Sequence, residues 1–302
     1  MVKTCDHRHY FFTMVDKLVN STANFNRIKR IEECFGPLGK PLILPGRVLV
    51  GEGTLQKMCR KGLKDRIFFL FNDILVYGTV LVKKKYYTKQ HIIPLEEMKI
   101  ESLENVGEID NGWIIKTPAK SFTVYSATPL EKEEWMSFIQ RFINNIRQKN
   151  GKKNIEAFAA VWVPDTEAEF CMCCRISEFS VINRRHHCRN CGNVVCRSCS
   201  RNKFVLNHMS SKPVRVCRNC FIKLSKKLDI SDFSNTRSVV PLNRSQSEPL
   251  AVLPEEDSDD DEVITHSHVQ SLKNVSNNNN MNKRQSVFYE LSSEDLSGDH
   301  SD

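Results

Sequence analysis

The sequence lacks any run of apolar residues that approaches the roughly 18 residues needed to cross a bilayer. It also lacks a secretory signal, because the opening stretch MVKTCDHRHYFFTMVDKL has a short apolar part and many charges. These absences predict a cytoplasmic protein without a membrane span. The chain has 302 residues, of which 40% are hydrophobic, so it is long enough for two domains of ordinary size.

The cysteines lack the spread that a disulfide scaffold would require. Nine of the twelve lie between residues 171 and 220, and in a reducing compartment such a cluster favours metal over disulfides. The formal net charge of +8 changes if metal is bound, because thiolate ligands add negative charge and metal ions add positive charge. Local basic patches are therefore more informative than the net charge.

The region 46–126 contains seven short β-like runs separated by turn residues, and Asn72–Asp73 predicts a tight hairpin between two of them. A helix follows, with Thr128 as its N-cap, Pro129 as its first residue and Glu131 completing a capping box. Seven strands and one closing helix predict a mainly β fold, a small barrel or sandwich with a C-terminal helix. The apolar face of that helix consists of Trp135, Phe138, Ile139, Phe142, Ile143 and Ile146.

Composition and periodicity divide the chain into five predicted segments. An apolar pattern over 14–33 predicts one amphipathic helix that packs onto the next domain. The end of the chain is rich in Ser, Asn and acidic residues without a hydrophobic period, which is typical of disorder. The segments are an N-terminal extension with this helix (1–34), the β domain (35–147), a linker (148–157), a cysteine-rich unit (158–227) and a disordered tail (228–302).

Four CxxC pairs occur in series in the cysteine-rich unit. Two residues between cysteines let both sulfurs approach one ion at about 2.3 Å, and zinc takes four such ligands in a tetrahedron. The pairs therefore predict two closed structural sites with one Zn²⁺ each, which disfavours hydrolytic catalysis. Spacing leaves open whether the pairs combine in sequence or interleave, and Cys173 makes the register of the first pair ambiguous. The predicted ligands are Cys171, Cys174, Cys188, Cys191, Cys196, Cys199, Cys217 and Cys220.

Three short motifs accompany these cysteines, namely WVPD (162–165), RRHHCR (184–189) and RVC (215–217). In order and position they resemble the WxxD, R(R/K)HHCR and RVC motifs of the FYVE zinc-finger family. The resemblance implies a domain that binds phosphatidylinositol 3-phosphate on endosomal membranes. It also implies that the first and third cysteine pairs hold one zinc ion and that the second and fourth pairs hold the other.

The resemblance assigns the basic residues to a phosphorylated headgroup. Arg185, Arg189 and Arg215 would surround the 3-phosphate, and Arg184 would reach the 1-phosphate. The physical chemistry agrees, because the planar guanidinium group offers two parallel donors to a phosphomonoester. The alternative is that these cations only neutralise the negative charge of the zinc–thiolate clusters.

The resemblance also assigns residues on either side of the arginines. Asp165 and His187 would read the inositol hydroxyls. The EFSVIN segment (178–183) corresponds to the part of the finger that enters the membrane, with Val181 and Ile182 at its tip. Each such side chain contributes on the order of 1.5–3 kcal/mol when buried. The alternative is that these two side chains pack inside the finger.

The β domain resembles a pleckstrin-homology domain, whose final helix carries a tryptophan like Trp135. Lys57, Lys64 and Arg66 fit the K-x(n)-K-x-R pattern with which many such domains bind phosphoinositide headgroups. Residues 83–85, three lysines, would add attraction to an anionic leaflet. A solvated basic hairpin or a protein-binding surface is the alternative.

A pleckstrin-homology domain followed directly by a FYVE finger, over about 35–225, resembles the Phafin family. This implies a non-enzymatic adaptor, peripheral on early endosomes, lysosomes and autophagic membranes, with trafficking proteins and phosphoinositides as partners and no nucleic acid. Larger guanine-exchange proteins also pair these domains, but they need a catalytic helical domain, for which the 45 residues before Gly46 are too few.

Two further hypotheses remain at this point. A RING-like ubiquitin ligase, or another zinc-dependent protein-interaction module, is the alternative function, although RING domains usually include His among their ligands. The acidic run 255–262 lies on a flexible tether and would compete for the basic loop at 57–66, which predicts autoinhibition. The competing interpretation of that run is a solubilising tail.

Overall fold

The computed structural model describes residues 18–19, 21–82, 86–104, 110–151, 155, 157–232 and 286–289. These residues form two compact units. The first unit contains the described residues of 18–58, 63–161 and 286–289, and the second contains 59–62 and 162–232. Residues 1–17 of the predicted N-terminal extension, the lysines at 83–85 and the acidic run 255–262 lie outside the described residues.

The N-terminal helix is shorter than its pattern predicted. Helix α1 spans Thr22–Phe35, and Ser21, in an extended conformation, caps it by accepting a hydrogen bond from the Asn24 backbone N–H at 3.1 Å. One continuous helix over 14–33 is therefore wrong, because the backbone leaves the helical region at Ser21. The predicted packing is confirmed, since Ile28 and Ile31 are buried against the next domain.

The first unit is built on a single sheet of eight strands. The predicted hairpin at Asn72–Asp73 is confirmed by the pairing of Leu70 with Leu75 across it. The strands are β1 (Leu49–Cys59), β2 (Gly62–Phe71), β3 (Ile74–Val82), β4 (Tyr86–Pro94), β5 (Lys99–Ser102), β6 (Gly112–Lys116), β7 (Phe122–Tyr125) and β12 (Val287–Phe288), with β8 to β11 in the second unit. Their order in the sheet is β4-β3-β2-β1-β7-β6-β5, with β12 beside β1.

Strand β1 has different neighbours at its two ends. Its C-terminal half pairs with β7, where Gln56 faces Tyr125. Its N-terminal half pairs with β12, where Gly51 faces Phe288. The prediction that the whole tail 228–302 lacks structure is therefore wrong for these residues.

Helix α2 (Pro129–Asn150) closes one face of the sheet. Its capping box is confirmed, because Thr128 accepts from the Glu131 backbone N–H at 3.2 Å and Glu131 accepts from the Ala127 N–H at 2.9 Å. Trp135 is fully buried on the inner side of the helix, and Phe138 is partly buried there. The predicted apolar face of this helix is thus the face that packs on the sheet.

The run RIFFLF in β2 is apolar on both faces because both faces are covered. Phe68 and Leu70 point into the core beneath α2, whereas Phe69 and Phe71 point into a second core beneath α1. Alternate side chains of a strand point to opposite faces, so a continuous apolar run fits a strand enclosed between two helices. The predicted fold class, a pleckstrin-homology sandwich with a C-terminal helix, is confirmed.

The second unit has very little regular structure. Two small hairpins are formed by β8 (His186–His187) with β9 (Val194–Val195), and by β10 (Lys203–Phe204) with β11 (Val214–Arg215). Helix α3 (Arg218–Asp232) follows, so regular structure continues past the predicted tail boundary at 228. In the part of the chain that the structure describes, no helix is long and apolar enough to cross a membrane.

Candidate functional site

Eight cysteines of the second unit lie in two groups of four. Within each group the sulfur atoms are all within 4.8 Å of one another. The groups combine the first CxxC pair with the third and the second with the fourth, which is the interleaved arrangement. Cys173 is half-buried and belongs to neither group. The groups are Cys171, Cys174, Cys196 and Cys199, and Cys188, Cys191, Cys217 and Cys220.

Short turns bring these sulfurs together. Cys188 directly follows β8, and the chain reverses at Gly192, whose φ of 78° is readily adopted only by glycine, before β9 begins. Backbone groups then point at the sulfurs, because the Cys217 N–H donates to the Cys188 sulfur at 3.2 Å and the Cys196 N–H donates to the Cys171 sulfur at 3.3 Å. Such donors stabilise thiolates, which are the form that binds a metal.

The thiols of each group carry opposing pKa shifts. A hydrogen bond from the Cys191 thiol lowers the pKa of Cys188 to about 4, and the same contact raises the pKa of Cys191. In the other group the hydrogen bond between Cys174 and the Ser177 hydroxyl lowers the pKa of Cys174 to about 6, whereas burial raises the pKa of Cys199. Four thiols this close ionise together only when a cation compensates their charge. The clusters therefore suit Zn²⁺, one ion in each.

The predicted phosphate-binding arginines lie around β8 and β11. The Arg189 backbone N–H donates to the Arg215 carbonyl oxygen at 2.9 Å, so the two motifs RRHHCR and RVC meet directly. The Arg215 guanidinium donates to the Ser200 carbonyl at 3.0 Å, and the Arg185 guanidinium donates to the Ala168 carbonyl at 3.1 Å. The Arg184 side chain is exposed. The structure thus brings Arg189 and Arg215 together.

His187 and Trp162 form a stacked pair. Their rings are parallel within 10° at a centroid distance of 4.6 Å, and the Arg189 guanidinium lies 4.3 Å from the Trp162 ring centroid. His187 is 3% exposed, its Nε2 lies 2.8 Å from the Val163 carbonyl oxygen, and burial lowers its pKa. Trp162 belongs to the WVPD motif, but its role between an imidazole and a guanidinium was not predicted.

Asp165 is engaged inside the second unit. Its Oδ2 accepts from the Arg60 Nε at 2.9 Å, and Arg60 also donates to the Arg185 carbonyl oxygen at 2.9 Å. Its Oδ1 is buried without a hydrogen-bond partner among the described residues and lies 3.8 Å from His187 Nε2. Asp165 and His187 are therefore adjacent, as the predicted headgroup site requires. Arg60 was not predicted, because nothing in its local sequence separates it from the other basic residues of its turn.

The EFSVIN segment ends in a tight, exposed turn. The Ser180 N–H donates to the Asn183 carbonyl at 3.1 Å, and the Asn183 N–H donates to the Ser180 hydroxyl at the same distance. Val181 is 89% exposed and Ile182 is 96% exposed. The alternative that these side chains pack inside the finger is therefore wrong.

The three predicted headgroup residues of the first domain differ in exposure. Lys57 is 2% exposed, and its ammonium group lies 4.8 Å from the ring centroid of Phe122. Arg66 is 5% exposed and donates to the Asp65 carbonyl oxygen at 2.9 Å, whereas Lys64 is half-buried. The pattern K-x(n)-K-x-R predicted basic groups open to a ligand, but it did not predict this burial.

Comparisons with known proteins agree on two domains. The FYVE zinc finger family model matches residues 161–226, and the PH domain family model matches residues 49–144. Pleckstrin homology domain-containing family F member 2 of Danio rerio is 58% identical over 212 residues, which are 70% of this chain and 86% of that protein. The Homo sapiens member 2 is 56% identical over 212 residues, 70% of this chain and 85% of that protein. The Homo sapiens member 1 is 50% identical over 212 residues, 70% and 76% of the two chains.

The chain belongs to the Phafin family. Membership explains why a sheet domain with a closing helix and a two-cluster cysteine unit occur on one chain. A PH domain and a FYVE finger are both phosphoinositide-binding domains, so this Phafin is a phosphoinositide-binding adaptor with two zinc sites. Its association with membranes is peripheral.

Proposed function

We propose that this Phafin is a non-enzymatic adaptor that phosphatidylinositol 3-phosphate recruits to endosomal membranes through the FYVE finger, with assistance from the PH domain. The observation that carries the proposal is the arrangement around β8, where a basic motif lies next to two exposed apolar side chains, Val181 and Ile182. One lipid molecule offers the matching pair of surfaces, an anionic headgroup above an apolar layer.

The arginines supply recognition of the phosphates. Arg185, Arg189 and Arg215 surround the 3-phosphate, and Arg184 reaches the 1-phosphate. The hydrogen bond from the Arg189 N–H to the Arg215 carbonyl supports this assignment, because it keeps two of the three arginines in the same place on the finger. A phosphomonoester carries close to two negative charges, so convergent guanidinium groups favour it over a phosphodiester.

Asp165 and His187 supply selectivity among phosphoinositides. Their side chains are adjacent, at 3.8 Å, and both can hydrogen-bond to hydroxyl groups of the inositol ring. A further phosphate on those ring positions would meet the Asp165 carboxylate, which repels it. This arrangement favours an inositol whose other hydroxyls are unmodified.

The two cysteine clusters keep this surface in shape. A zinc ion held by the four cysteines of each cluster would cross-link the chain of a small domain. Cys188 and Cys191 lie on either side of Arg189 and Asn190, so the backbone that carries Arg189 is fixed at both ends by ligands of one cluster. All four positions around each ion are filled by thiolates, which supports a structural role and a non-enzymatic protein.

The proposed lipid specificity implies where in the cell the protein acts. The protein acts in the cytoplasm on early endosomes, and on lysosomes and autophagic membranes, where it connects phosphoinositides to trafficking proteins. Lys57, Lys64 and Arg66 of the PH domain contribute a second lipid contact, with Lys64 the most accessible of the three. Two weak sites on one membrane raise the overall affinity by about 10²-fold or more through effective concentration.

Liposome flotation tests the proposal with the zinc-loaded full chain. We expect flotation with vesicles that contain phosphatidylinositol 3-phosphate and little flotation with other phosphoinositides or phosphatidylserine. Arg185→Ala should abolish most of the binding, whereas Arg201→Ala, which removes an exposed arginine of the same unit, should leave it nearly unchanged. Binding that ignored both the lipid and the Arg185 substitution would overturn the proposal.

A further inference from the structure

A short piece of the C-terminal region is built into the first unit. Residues Ser286–Tyr289, here called the tail strand, pair with β1 in an antiparallel register in which Glu52 faces Val287. The Tyr289 backbone N–H donates to the Val50 carbonyl at 2.8 Å. These bonds complete the half of β1 that β7 does not cover, so the tail strand occupies a sheet edge.

Strand β1 carries glycines where the side chains of the tail strand approach it most closely. A Cβ atom on Gly51 would lie 2.4 Å from a ring carbon of Phe288, and a Cβ atom on Gly53 would lie 2.0 Å from the Ser286 hydroxyl oxygen. Real Cβ atoms do not approach other atoms so closely. The alternation Gly-Glu-Gly in β1 therefore leaves a slot that matches the side chains of the tail strand.

Phe288 fills the apolar part of this slot. Its ring meets Trp135 at a centroid distance of 5.2 Å, edge to face, and stacks on Phe138 at 4.5 Å. Both partners lie on helix α2, so the tail strand packs in the groove between β1 and α2. Aromatic pairs at these distances contribute attraction beyond the burial of their area.

Ser286 fills the polar part. Its hydroxyl accepts a hydrogen bond from the Trp135 Nε1 at 2.8 Å and donates to the Glu131 carboxylate, and its backbone N–H donates to the same carboxylate at 3.1 Å. Glu131 is 3% exposed and Trp135 is fully buried. The hydroxyl of Ser286 is thus held between one neutral donor and one carboxylate. The Glu131 carboxylate would repel a negative charge added at this position.

Tyr289 anchors the other end. Its hydroxyl donates to the Glu52 carboxylate at 2.9 Å, and the Arg27 guanidinium lies 4.4 Å from its ring centroid. The tail strand therefore has specific contacts at three of its four side chains. A segment without specific affinity for the groove would not combine a ladder, aromatic contacts and hydrogen bonds to two carboxylates.

We propose that Ser286 is a phosphorylation site and that its modification releases the tail strand from the groove between β1 and α2. The sequence KRQS (283–286) places two basic residues three and two positions before the acceptor, which suits a basophilic kinase. The kinase acts on the transiently undocked strand. The Ser286 oxygen forms a bond to the γ-phosphorus of ATP, the bond from that phosphorus to the bridging oxygen breaks, ADP leaves, and the hydroxyl proton passes to a base of the kinase.

Phosphorylation is incompatible with the docked state for two reasons. The phosphate carries about −1.5 to −2 charges at neutral pH, and in the slot it would lie against the Glu131 carboxylate. The modified oxygen also loses the hydrogen that it donates to Glu131. Release uncovers the Trp135 indole and the Gly51–Glu52 edge of β1, which then form an open site for a strand of the same chemistry.

Hydrogen–deuterium exchange on the zinc-loaded full chain tests whether the tail strand docks and whether negative charge at Ser286 releases it. In the wild-type protein we expect protection of amides in 286–289 and in 50–53. Ser286→Asp and Phe288→Ala should raise the exchange rate of both segments at least about tenfold, because local opening then costs less. Ser247→Asp adds the same charge at RSQS (244–247), the other basophilic match, and should change neither segment.

A peptide measurement separates release from misfolding. Full-length Ser286→Asp protein has an empty groove, so a fluorescent peptide of residues 281–292 should bind to it and not to the wild-type chain. The same peptide with phosphoserine at 286 should bind at least about thirtyfold more weakly, because like charges are brought together. Unprotected amides in the wild-type tail strand, retained protection in Ser286→Asp, or equal affinity of the two peptides would each overturn the proposal.

Discussion

The two units are stabilised by different kinds of interaction. The first buries large apolar side chains such as Trp113, Trp135 and Phe68, all fully enclosed. In the second unit half of the buried cluster consists of cysteines, with apolar residues such as Val194 and Val216 between them. A domain this small encloses too little apolar surface to be stable by that means alone. Its fold therefore depends on what the cysteines bind, whereas the first unit depends on its side-chain packing.

Removal of zinc should produce the largest difference in stability between the two units. Structural zinc contributes about 10–16 kcal/mol to folding in small zinc domains, so a strong chelator should unfold the second unit and leave the first folded. Amide NMR spectra of the full chain, recorded with and without chelator, would show loss of dispersion for 162–227 only. Retained dispersion in that region without zinc would contradict the dependence described above.

Substitution of single cysteines tests which sulfurs bind zinc in the second unit. Cys188→Ser removes one of four ligands from a cluster, and we expect the bound zinc to fall from two ions per chain to about one. Cys173→Ser is the matched control, because Cys173 lies in the same unit but in neither cluster, and this variant should keep two ions. Metal analysis by mass spectrometry measures both. Equal zinc contents in the two variants would be inconsistent with the grouping.

The corresponding test of the first unit is a core truncation. Trp135→Ala should lower the free energy of unfolding of that unit by about 3–5 kcal/mol, because it leaves a large cavity beneath α2. Zinc content should stay at two ions. Leu130→Ala on the same helix is the control, since Leu130 is 58% exposed and should cost little. Denaturant titrations measure the free energy of unfolding of both variants. A similar decrease in the two would argue against the packing of α2 on the sheet.

The smallest effect concerns exposed apolar side chains, which the two units use differently. Replacement of Val181 and Ile182 by alanine should leave folding and zinc unchanged but weaken binding to phosphatidylinositol 3-phosphate vesicles by about tenfold to a hundredfold, because their burial in the membrane is lost. Leu38→Ala, at a residue of the first unit that is 97% exposed, should not change vesicle binding. Sedimentation with vesicles measures the binding of both variants. Equal losses of binding would contradict the insertion of the EFSVIN segment into the membrane.

Local patterns predicted much of this architecture. The hairpin at Asn72–Asp73, the capping box of Thr128 and Glu131 and the apolar face around Trp135 each depend on neighbours in sequence, so their local signals were sufficient. The pairing of cysteines was different, because spacing alone left it open. It was anticipated only through the resemblance to FYVE fingers.

Non-local contacts account for what was missed. The tail strand has only four residues and no periodic pattern, and its binding slot is created by Gly51 and Gly53, far away in the sequence. The interruption of the N-terminal helix depends on one capping serine, Ser21, within an otherwise helical pattern. The burial of Lys57 depends on an aromatic ring that the fold supplies, and a basic pattern cannot indicate that.

The pairing of the tail strand has a practical consequence for work with shortened proteins. Removal of all residues after 280, a natural way to trim a polar terminus before crystallisation, would also remove the only described partner of Gly51 and Glu52 on that side of β1. A free strand edge next to an apolar groove tends to pair with another copy of the same chain. Samples trimmed in this way should self-associate, whereas those that end after Tyr289 should stay dispersed.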